Sequence, residues 1–345
     1  MRAVVIHGPG DYSKLTIEER ADPEPGRDEV VVSTTAIGVN YADCIVRMGL
    51  YSSAREYVGW PIVPGFEACA TIEKLGADVR GWSVGDRVIA VTRFGGYATK
   101  LCVPSSQLFA PIEGFSDAEC AGFPAVFLTA HYALETLANA RAGETMLVHS
   151  AAGGVGTALA QLGRALGCTV VGVVGSSSKV ATAYAAGAQH VIVRDEGSWE
   201  RRARAIMPTG YSMVFDANGA DTLRASYELL AAPGRLVVYG FASMLPRGGS
   251  GRPNWLKLAW DWLRTPRFNP LDLTTRNRSV LALNLSYLFE ERALLERSMR
   301  ALSTMANRGQ LRPPPVTEFA FERVADAHRA IESGSTVGKL VLRVR

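Results

Sequence analysis

The sequence predicts an α/β protein in which a β-rich domain precedes a doubly wound parallel sheet. Its 345 residues exceed the ~100–200 residues of a typical single domain. Short apolar runs interrupted by Gly and Pro fill the chain to about residue 115. From about residue 121 to residue 240, apolar strands alternate with Ala-rich helical stretches, which is typical of a parallel sheet covered on both faces. We therefore expect two domains with a cleft between them.

Each predicted strand of the parallel sheet is a short apolar run rich in β-branched residues. Apolar residues at helical spacing predict a helix over Glu291–Asn307, and the tail Lys339–Val344 has the pattern of a strand. The predicted strands of the parallel sheet are Thr145–His149, Thr169–Val174, His190–Val193, Met213–Asp216, Arg235–Tyr239 and, as a sixth, Ser279–Leu285.

Composition narrows the classes of function. Hydrophobic residues make up 48% of the chain and charged residues 20%, as in a soluble globular enzyme. The 37 basic and 33 acidic residues are dispersed, which argues against nucleic-acid binding. No apolar run approaches the roughly 18 residues of a membrane span, so we expect no integral membrane segment, while peripheral membrane contact stays open. The chain shows no secretory leader pattern, and we expect a cytoplasmic protein.

The five cysteines do not form a recognisable framework. They are odd in number, widely spaced and never arranged as Cys-x-x-Cys. This usage is typical of reduced thiols, and it indicates neither disulfides nor a structural zinc site.

The segment Arg247–Asn269 holds three of the six tryptophans. Its helical part places Lys257, Asp261 and Arg264 on one stripe and apolar residues elsewhere. A helix so apolar is expected to be covered, either by packing over the active-site cleft or by a second subunit. Attachment to a membrane surface is the alternative.

A glycine-rich turn joins a predicted strand to a predicted helix. The strand ends at His149 and the helix covers Thr157–Gly167, with Ala151 where a G-x-G-x-x-G motif has its first glycine. Small residues let the backbone approach a pyrophosphate closely, and the helix N-terminus stabilises the charge. We therefore predict a Rossmann dinucleotide site that includes Ala152, Gly153, Gly154, Val155 and Gly156.

The end of the second strand favours NADPH over NADH. An NAD-preferring site places a carboxylate ~20 residues beyond the glycines, and none is present here. Gly175, Ser176 and Lys179 instead offer amide, hydroxyl and cationic groups to a 2′-phosphate. The alternative is that Ser177 or Ser178 only caps a helix while Lys179 is solvated.

These motifs resemble the medium-chain dehydrogenase/reductase superfamily, within it the zinc-free quinone oxidoreductase branch. The segment from Asn277 to Phe289, with the Trp-rich insertion before it, looks like the vesicle amine transport protein subgroup. The resemblance covers essentially the whole chain. It is carried by Ile37–Asp43, Gly49–Tyr51, Pro64–Glu67, Gly85–Val88, Ala151–Gly156 and Val337–Leu342.

The resemblance implies a GroES-like catalytic domain built from both chain ends, with a Rossmann domain inserted between them. The boundaries we expect are residues 1–120, 121–285 with the insertion near 247–269, and 286–345. A homodimer formed through the Rossmann domain is also implied. Zinc-dependent relatives carry metal ligands at the positions of Asn40 and Phe66, neither of which can replace them. We therefore expect metal-free chemistry.

The resemblance also implies roles for individual residues. Asn40 and Tyr51 would face the nicotinamide, with the Tyr51 phenol as proton donor or as a wall of the pocket. Arg194 would pair with the adenosine phosphate or remain a surface charge. His131 and His149 are interpreted as structural. The remaining expected cofactor-binding residues are Thr129, Gly240, Phe241, Leu283, Asn284 and Lys339.

A site without metal favours an acceptor that conjugation already activates, such as a quinone or an α,β-unsaturated carbonyl compound. Two alternatives stay open. One is reduction of 2-enoyl thioesters. The other is a cofactor-binding protein similar to the vesicle amine transport subgroup, which acts on membranes or partners with little turnover.

Overall fold

The computed structural model describes residues 1–245 and 250–344. These residues form two compact units. The first comprises residues 1–128, 250–252 and 285–344, and the second comprises residues 129–245 and 253–284. No helix among the described residues is long and apolar enough to cross a bilayer.

The strands and helices are numbered along the chain. The strands are β1 (Arg2–Val5), β2 (Thr16–Glu19), β3 (Glu29–Val39), β4 (Glu67–Leu75), β5 (Arg87–Val91), β6 (Lys100–Pro104), β7 (Leu108–Phe109), β8 (Thr145–His149), β9 (Thr169–Val174), β10 (His190–Val193), β11 (Tyr211–Asp216), β12 (Leu230–Val238), β13 (Arg278–Ala282), β14 (Val316–Ala320) and β15 (Lys339–Arg343). The helices are α1 (Tyr41–Arg47), α2 (Ser52–Tyr57), α3 (Asp117–Gly122), α4 (Pro124–His131), α5 (Gly154–Leu166), α6 (Val180–Ala185), α7 (Trp199–Ile206), α8 (Leu223–Glu228), α9 (Trp255–Arg264), α10 (Pro270–Arg276), α11 (Arg292–Asn307) and α12 (Val324–Glu332).

The first unit is built on a mixed sheet. Its strands lie in the order β14-β15-β3-β4-β5-β7, and β6 also pairs with β3. The tail strand β15 pairs antiparallel with β3, with Leu340 opposite Val39 and Leu342 opposite Ile37. These four side chains are buried in one apolar cluster. Burial of this kind stabilises by about 25 cal/mol per Å² of apolar surface. It holds the C-terminal strand β15 against β3 of the N-terminal part of the chain.

The second unit is a six-stranded parallel sheet in the order β10-β9-β8-β11-β12-β13. Counted from β8, this is the 3-2-1-4-5-6 order of a dinucleotide-binding Rossmann fold. Every strand pair in it is parallel. The fold class predicted from the sequence is therefore confirmed.

Predicted and observed elements differ mainly at their ends. β8, β9 and β10 match the predicted ranges, whereas β12 starts at Leu230 instead of Arg235. The strand runs through Pro233 and Gly234, and its register against β11 shifts there. The predicted Ser279–Leu285 strand was too long, because β13 ends at Ala282 and a 3₁₀ helix occupies Leu285–Glu290.

The Trp-rich segment contains α9, in which Asp261 of the charged stripe is buried and the large apolar side chains are exposed. Residues 247–249 of the expected insertion lie outside the described part of the chain. Asp261 is only 2% exposed, and the ammonium of Lys257 donates to its carboxylate and to the Ser243 carbonyl oxygen. The side chains that are more than half exposed are Trp255, Leu256, Trp260, Trp262 and Leu263.

Candidate functional site

Asn40 lies between the C-terminal end of β3 and the start of α1, with both ends of its side-chain amide held. Its Nδ2 donates to Glu67 Oε1 at 2.9 Å, and its Oδ1 accepts from Lys339 Nζ at 2.5 Å. Lys339 and Glu67 are themselves a buried ion pair at 2.7 Å, with side chains 3% and 0% exposed. Glu67 Oε2 also accepts from the backbone N–H of Ala125 at 2.6 Å. Because every partner is fixed, the amide has one defined orientation.

Asp43 continues this polar network into the core. Its carboxylate accepts from the Asn40 backbone N–H at 2.8 Å, from Gly65 at 3.0 Å and from the Tyr97 hydroxyl at 3.0 Å. Burial raises the pKa of the Asp43 carboxyl to about 7, although these hydrogen bonds and Lys339 oppose the shift. The Tyr97 hydroxyl also lies 3.3 Å from His328 Nε2, and burial lowers the pKa of that imidazole to about 3.

Tyr51 precedes α2 and packs in an aromatic cluster with Phe66 and Phe94. Its ring centroid is 6.1 Å from Phe66 and 6.3 Å from Phe94, both in edge-to-face geometry. Phe66 and Phe94 are 5.4 Å apart and nearly fully buried. The half-buried Tyr51 ring is therefore held by rigid neighbours, as a positioned phenol requires.

The two cysteines near Asn40 and Phe66 in the sequence contact other groups. Cys69 Sγ lies 3.5 Å from Asp117 Oδ1. Cys44 lies with His328 and Glu332, and the potential ligand atoms of these three buried residues are within 4.8 Å of one another. Arg47 donates to Glu332 at 2.5 Å inside this cluster, so a guanidinium already neutralises the carboxylate.

The glycine-rich turn has the close backbone packing that a dinucleotide site needs. Ser150 adopts a left-handed conformation with φ 54°, and α5 begins at Gly154. A Cβ atom at Gly156 would lie 2.2 Å from the Ser150 carbonyl oxygen, so only glycine fits there. The first N–H groups of α5 belong to Gly154, Val155 and Gly156 and have no acceptor within the helix. Gly153 is its N-cap and Ala152 is buried in the preceding turn.

Beside this turn, the loops after β11 and β12 each hold a buried polar atom without a hydrogen-bond partner in the described part of the chain. Asn218 Oδ1 accepts from the Ser150 hydroxyl at 3.1 Å, while its Nδ2 has no hydrogen-bond partner among the described residues. The Ser243 backbone N–H donates to the Asn218 carbonyl oxygen at 2.8 Å, and the Ser243 hydroxyl is likewise buried without a partner. Unpartnered buried donors are rare in folded proteins, and at a ligand site they are available to the ligand.

Asp216, at the end of β11, positions that loop. Its Oδ1 accepts from the backbone N–H groups of Asn218 and Gly219 at 2.8 and 3.1 Å, and its Oδ2 from Ser226 at 2.7 Å. His149 Nε2 lies 3.0 Å from the Ser226 hydroxyl, and burial lowers the pKa of the His149 imidazole. His149 thus packs as part of the support of the loop.

The residues expected near the adenosine phosphate lie together after β9. Ser176 is half-buried, and its hydroxyl lies 2.9 Å from that of Ser178. Lys179 ends the short 3₁₀ turn that follows. A Cβ atom built at Gly175 would lie 3.7 Å from Arg194 Nη2, which places this guanidinium at the same corner of the unit. No carboxylate follows β9 before α6.

The other expected cofactor residues lie in two groups. Gly240 packs against Ala217, and the Leu283 backbone N–H donates to the Val238 carbonyl oxygen at 3.1 Å, so both lie beyond the ends of β12 and β13. Phe241 is 44% exposed and Asn284 is half-buried. Thr129 lies in α4 and is half-buried.

Sequence reasoning did not select Glu67, Asp43 or Asn218 as site residues. A signal existed for two of them, since Glu67 opens an apolar strand and Asn218 follows a buried strand at its carboxyl end. Lys339 was expected at the cofactor, and the structure places its ammonium on Asn40 and Glu67.

A GroES-like unit and a Rossmann unit in one chain define a dehydrogenase/reductase architecture. The family described as alcohol dehydrogenase GroES-like domain matches residues 26–114, and the zinc-binding dehydrogenase family matches residues 186–342. The chain is 32% identical to the synaptic vesicle membrane protein VAT-1 homolog of Rattus norvegicus, covering 99% of this chain and 84% of the relative. It is 30% identical to a 2-haloacrylate reductase of Burkholderia sp., over 99% of this chain and 98% of the relative.

A solved structure has the same fold. The quinone oxidoreductase of Escherichia coli, complexed with NADPH, superposes with a TM-score of 0.86 at 25% identity and covers 100% of both chains. The protein belongs to the medium-chain dehydrogenase/reductase superfamily, in its quinone oxidoreductase branch near the VAT-1 homologues.

Proposed function

We propose that this oxidoreductase transfers hydride from NADPH to a quinone or an α,β-unsaturated carbonyl compound without a catalytic metal ion. One observation carries the proposal. At the two positions where zinc-dependent relatives would place ligands, Asn40 is fixed by the Lys339–Glu67 ion pair and Phe66 is packed against Tyr51. The Lys339 ammonium that pairs with Glu67 would repel a metal cation bound at the same position.

The second unit supports NADPH as the cofactor. The turn at Gly156 permits close approach of a pyrophosphate. Next to it, Asn218 Nδ2 and the Ser243 hydroxyl, which have no partner among the described residues, offer hydrogen-bond donors. Ser176 and Lys179 offer a hydroxyl and a cation to the 2′-phosphate where NAD-preferring enzymes carry a carboxylate. The NADPH complex of the Escherichia coli relative agrees with this assignment.

NADPH, when bound, supplies the hydride. The chain's own residues then have two tasks. Tyr51 donates a proton, or a hydrogen bond, to the acceptor oxygen on which negative charge develops. Asn40 orients cofactor or substrate through an amide whose rotation Lys339 and Glu67 prevent. The homodimer, the cytoplasmic location and the remaining cofactor contacts stay predictions.

The acceptor class is tested by measuring NADPH oxidation with the purified protein. The screen compares quinones, simple enones, alkenals, 2-enoyl thioesters and 2-haloacrylate, the last because a relative is named for it. We expect turnover with quinones or enones that survives dialysis against a chelator. Preference for acyl thioesters would favour enoyl reduction. Loss of activity on chelation, restored by zinc, would overturn the metal-free assignment.

A second candidate function is attachment to an anionic lipid surface through α9. Three tryptophans of this helix are more than 60% exposed, at 67%, 61% and 63%, and tryptophan favours the membrane interface. Residues 253–278 also hold five basic and two acidic residues, which suits negatively charged lipid. A relative is named as a synaptic vesicle membrane protein.

Sedimentation with phosphatidylserine vesicles tests this candidate. We expect binding that falls at least tenfold when Trp255, Trp260 and Trp262 are changed to Ser. Tyr184→Ser, which removes another exposed aromatic of the same unit, is the matched control and should bind normally. Equal binding by all variants, or none by the unaltered chain, would reject the lipid candidate.

A further inference from the structure

Two cysteines of the first unit form a buried thiol pair that the proposed reaction does not use. Cys69 lies on β4 and Cys120 on α3, and both side chains are fully buried. α3 packs directly against β4, and each thiol contacts one member of the same ion pair, Cys69 through Asp117 and Cys120 through Arg87. Glu67 lies two residues before Cys69 and therefore points to the same side of β4.

A cation and a carboxylate complete the cluster. Arg87 Nη2 lies 3.6 Å from Cys120 Sγ, and Arg87 Nε donates to Asp117 Oδ1 at 2.6 Å. Cys69 Sγ lies 3.5 Å from the same carboxylate oxygen. The guanidinium therefore favours a thiolate at Cys120, while the carboxylate disfavours one at Cys69.

The pKa shifts follow this geometry. The neighbouring Cys69 thiol, the backbone N–H of Ile112 and the Arg87 charge together lower the pKa of the Cys120 thiol to about 7, against the opposing effect of burial. The neighbouring Cys120 thiol and burial raise the pKa of the Cys69 thiol. One sulfur is thus the nucleophile and the other remains a protonated donor, the division of roles seen in redox-active dithiols.

The pair lies one layer below the surface. The side chains of Arg87 and Asp117, which contact the sulfurs, are 38% and 43% exposed. A small oxidant therefore reaches Cys120 when this surface ion pair opens, and such exposed pairs contribute little stability. In the other three cysteines burial instead raises the thiol pKa, to about 11 for Cys102 and upward for Cys44 and Cys168.

We propose that Cys69 and Cys120 are a redox-sensitive pair that closes to an intramolecular disulfide on exposure to hydrogen peroxide. In the first step the Cys120 thiolate attacks peroxide, so that an S–O bond forms, the O–O bond breaks and the hydroxide released takes up a proton. In the second step the Cys69 sulfur attacks the sulfenic acid, so that the S–S bond forms, the S–O bond breaks and water leaves with the Cys69 proton. Two thiols lose two electrons, and one peroxide becomes two waters.

The inference is tested on the full-length reduced protein. Peroxide is added under native conditions, and free thiols are then counted in denaturant with a maleimide. We expect the count to fall from five to three, with a peptide linking Cys69 to Cys120 in a digest. All five thiols remaining, or a linkage between other cysteines, would overturn the proposal. Because the mapping uses the unaltered chain, it does not depend on any variant folding.

Cysteine variants test which sulfur attacks peroxide and which one then closes the disulfide. Cys69→Ser should accumulate a Cys120 sulfenic acid that dimedone traps, and Cys120→Ser should show neither the trap nor the disulfide. Cys168→Ser is the matched control, since it removes a buried thiol of the second unit and should form the disulfide normally. Dimedone labelling of another cysteine at the same rate would contradict the assignment.

The pH dependence and Arg87 supply an independent readout. Oxidation should speed up as pH rises through about 7, because the Cys120 thiolate is then formed. Arg87→Gln should slow oxidation at pH 7 about fivefold, whereas Arg87→Lys, which keeps a cation, should slow it less. A rate independent of pH from 5.5 to 8.5 would contradict a thiolate nucleophile at Cys120.

Discussion

At the residue scale, the best-defined feature of the molecule is an amide whose two ends are held by opposite charges. Lys339 donates to one end of Asn40 and Glu67 accepts from the other, and both ionic groups are buried. Sequence reasoning identified Asn40 and Lys339 but not their contact, and it missed Glu67, since Lys339 and Glu67 come from strands far apart in the chain. Which buried charge meets which polar group depends on tertiary packing, and no local pattern carries that information.

Tyr51→Phe is the first prediction at this scale. We expect kcat for enone reduction to fall about a hundredfold, because a positioned proton donor contributes ~10²–10⁴ to the rate. NADPH affinity, measured by fluorescence titration, should change little. Tyr57→Phe alters another tyrosine of the same segment, one that packs edge-to-face against Tyr287 at 5.9 Å, and should leave kcat unchanged. Unchanged turnover in Tyr51→Phe would show that the ring only forms a wall of the pocket.

Lys179→Ala tests cofactor choice. Loss of a charge-assisted hydrogen bond to a 2′-phosphate should weaken NADPH binding about tenfold or more. NADH lacks that phosphate, so its dissociation constant should stay within a factor of two. Arg201→Ala, which removes an exposed cation on α7, is the control. Equal losses for both dinucleotides would remove Lys179 from the phosphate site.

At the scale of secondary-structure elements, the hydrophobic pattern predicted the strands well, but it did not predict how helix α9 packs. The apolar runs at β8, β9 and β10 are continuous and bounded by turns, and their predicted ends agree with the structure. α9 shows the limit of such patterns. Its stripes of charged and apolar residues were recognised, but a periodicity does not say which stripe faces inward. Here the buried Asp261, paired with the partly exposed Lys257, turns the charged stripe toward the protein.

Lys257→Ala tests what orients α9. The substitution leaves Asp261 buried without its close cation, at a cost of ~3–5 kcal/mol for breaking a buried pair. Lys257 is 37% exposed, so we expect the lower part of that range. Amide hydrogen exchange across Trp255–Arg264 should accelerate markedly. Arg264→Ala removes a cation 3.8 Å from the same carboxylate and should have a smaller effect. Unaltered exchange in Lys257→Ala would show that other contacts hold the helix.

At the scale of the whole molecule, the fold class was predictable because two hydrophobic patterns occupy different stretches of the chain. Short apolar runs broken by turns come first, and strands that alternate with helices follow. Among the predicted cofactor residues, Gly156 carries a signal in its backbone chemistry, because the turn leaves no room for a side chain there. Asn218 and Ser243 carry no such local signal. Their unpartnered donors become visible only when strands β11 and β12 bring their loops together.

His328 and Asp43, two buried groups of the first unit, should make opposite contributions to the pH dependence of the free energy of unfolding. Burial lowers the pKa of His328 to about 3, so its neutral form stabilises the fold fully above the unfolded value of ~6.5, and this contribution is lost as pH falls. Burial raises the pKa of Asp43 to about 7, so its contribution is complete below the unfolded value of ~3.9 and is lost as pH rises toward 7. The two slopes oppose each other between about pH 4 and 6.5.

His328→Phe should reveal the pH dependence that Asp43 contributes, because the opposing contribution of His328 is then removed. It keeps a ring beside Tyr97 but removes the titration of His328, so stability should fall with increasing pH between 4 and 6.5 while the unaltered chain changes little. The stability difference between the two proteins should grow by about 1.4 kcal/mol per pH unit across that window. Urea unfolding at pH 4.5, 5.5, 6.5 and 7.5 measures it, with His190→Phe as the control because that histidine is exposed. Parallel pH profiles for the unaltered protein and His328→Phe would mean that burial does not hold His328 neutral. The hydrogen-bonded series Asp43, Tyr97 and His328 would then titrate in some other way.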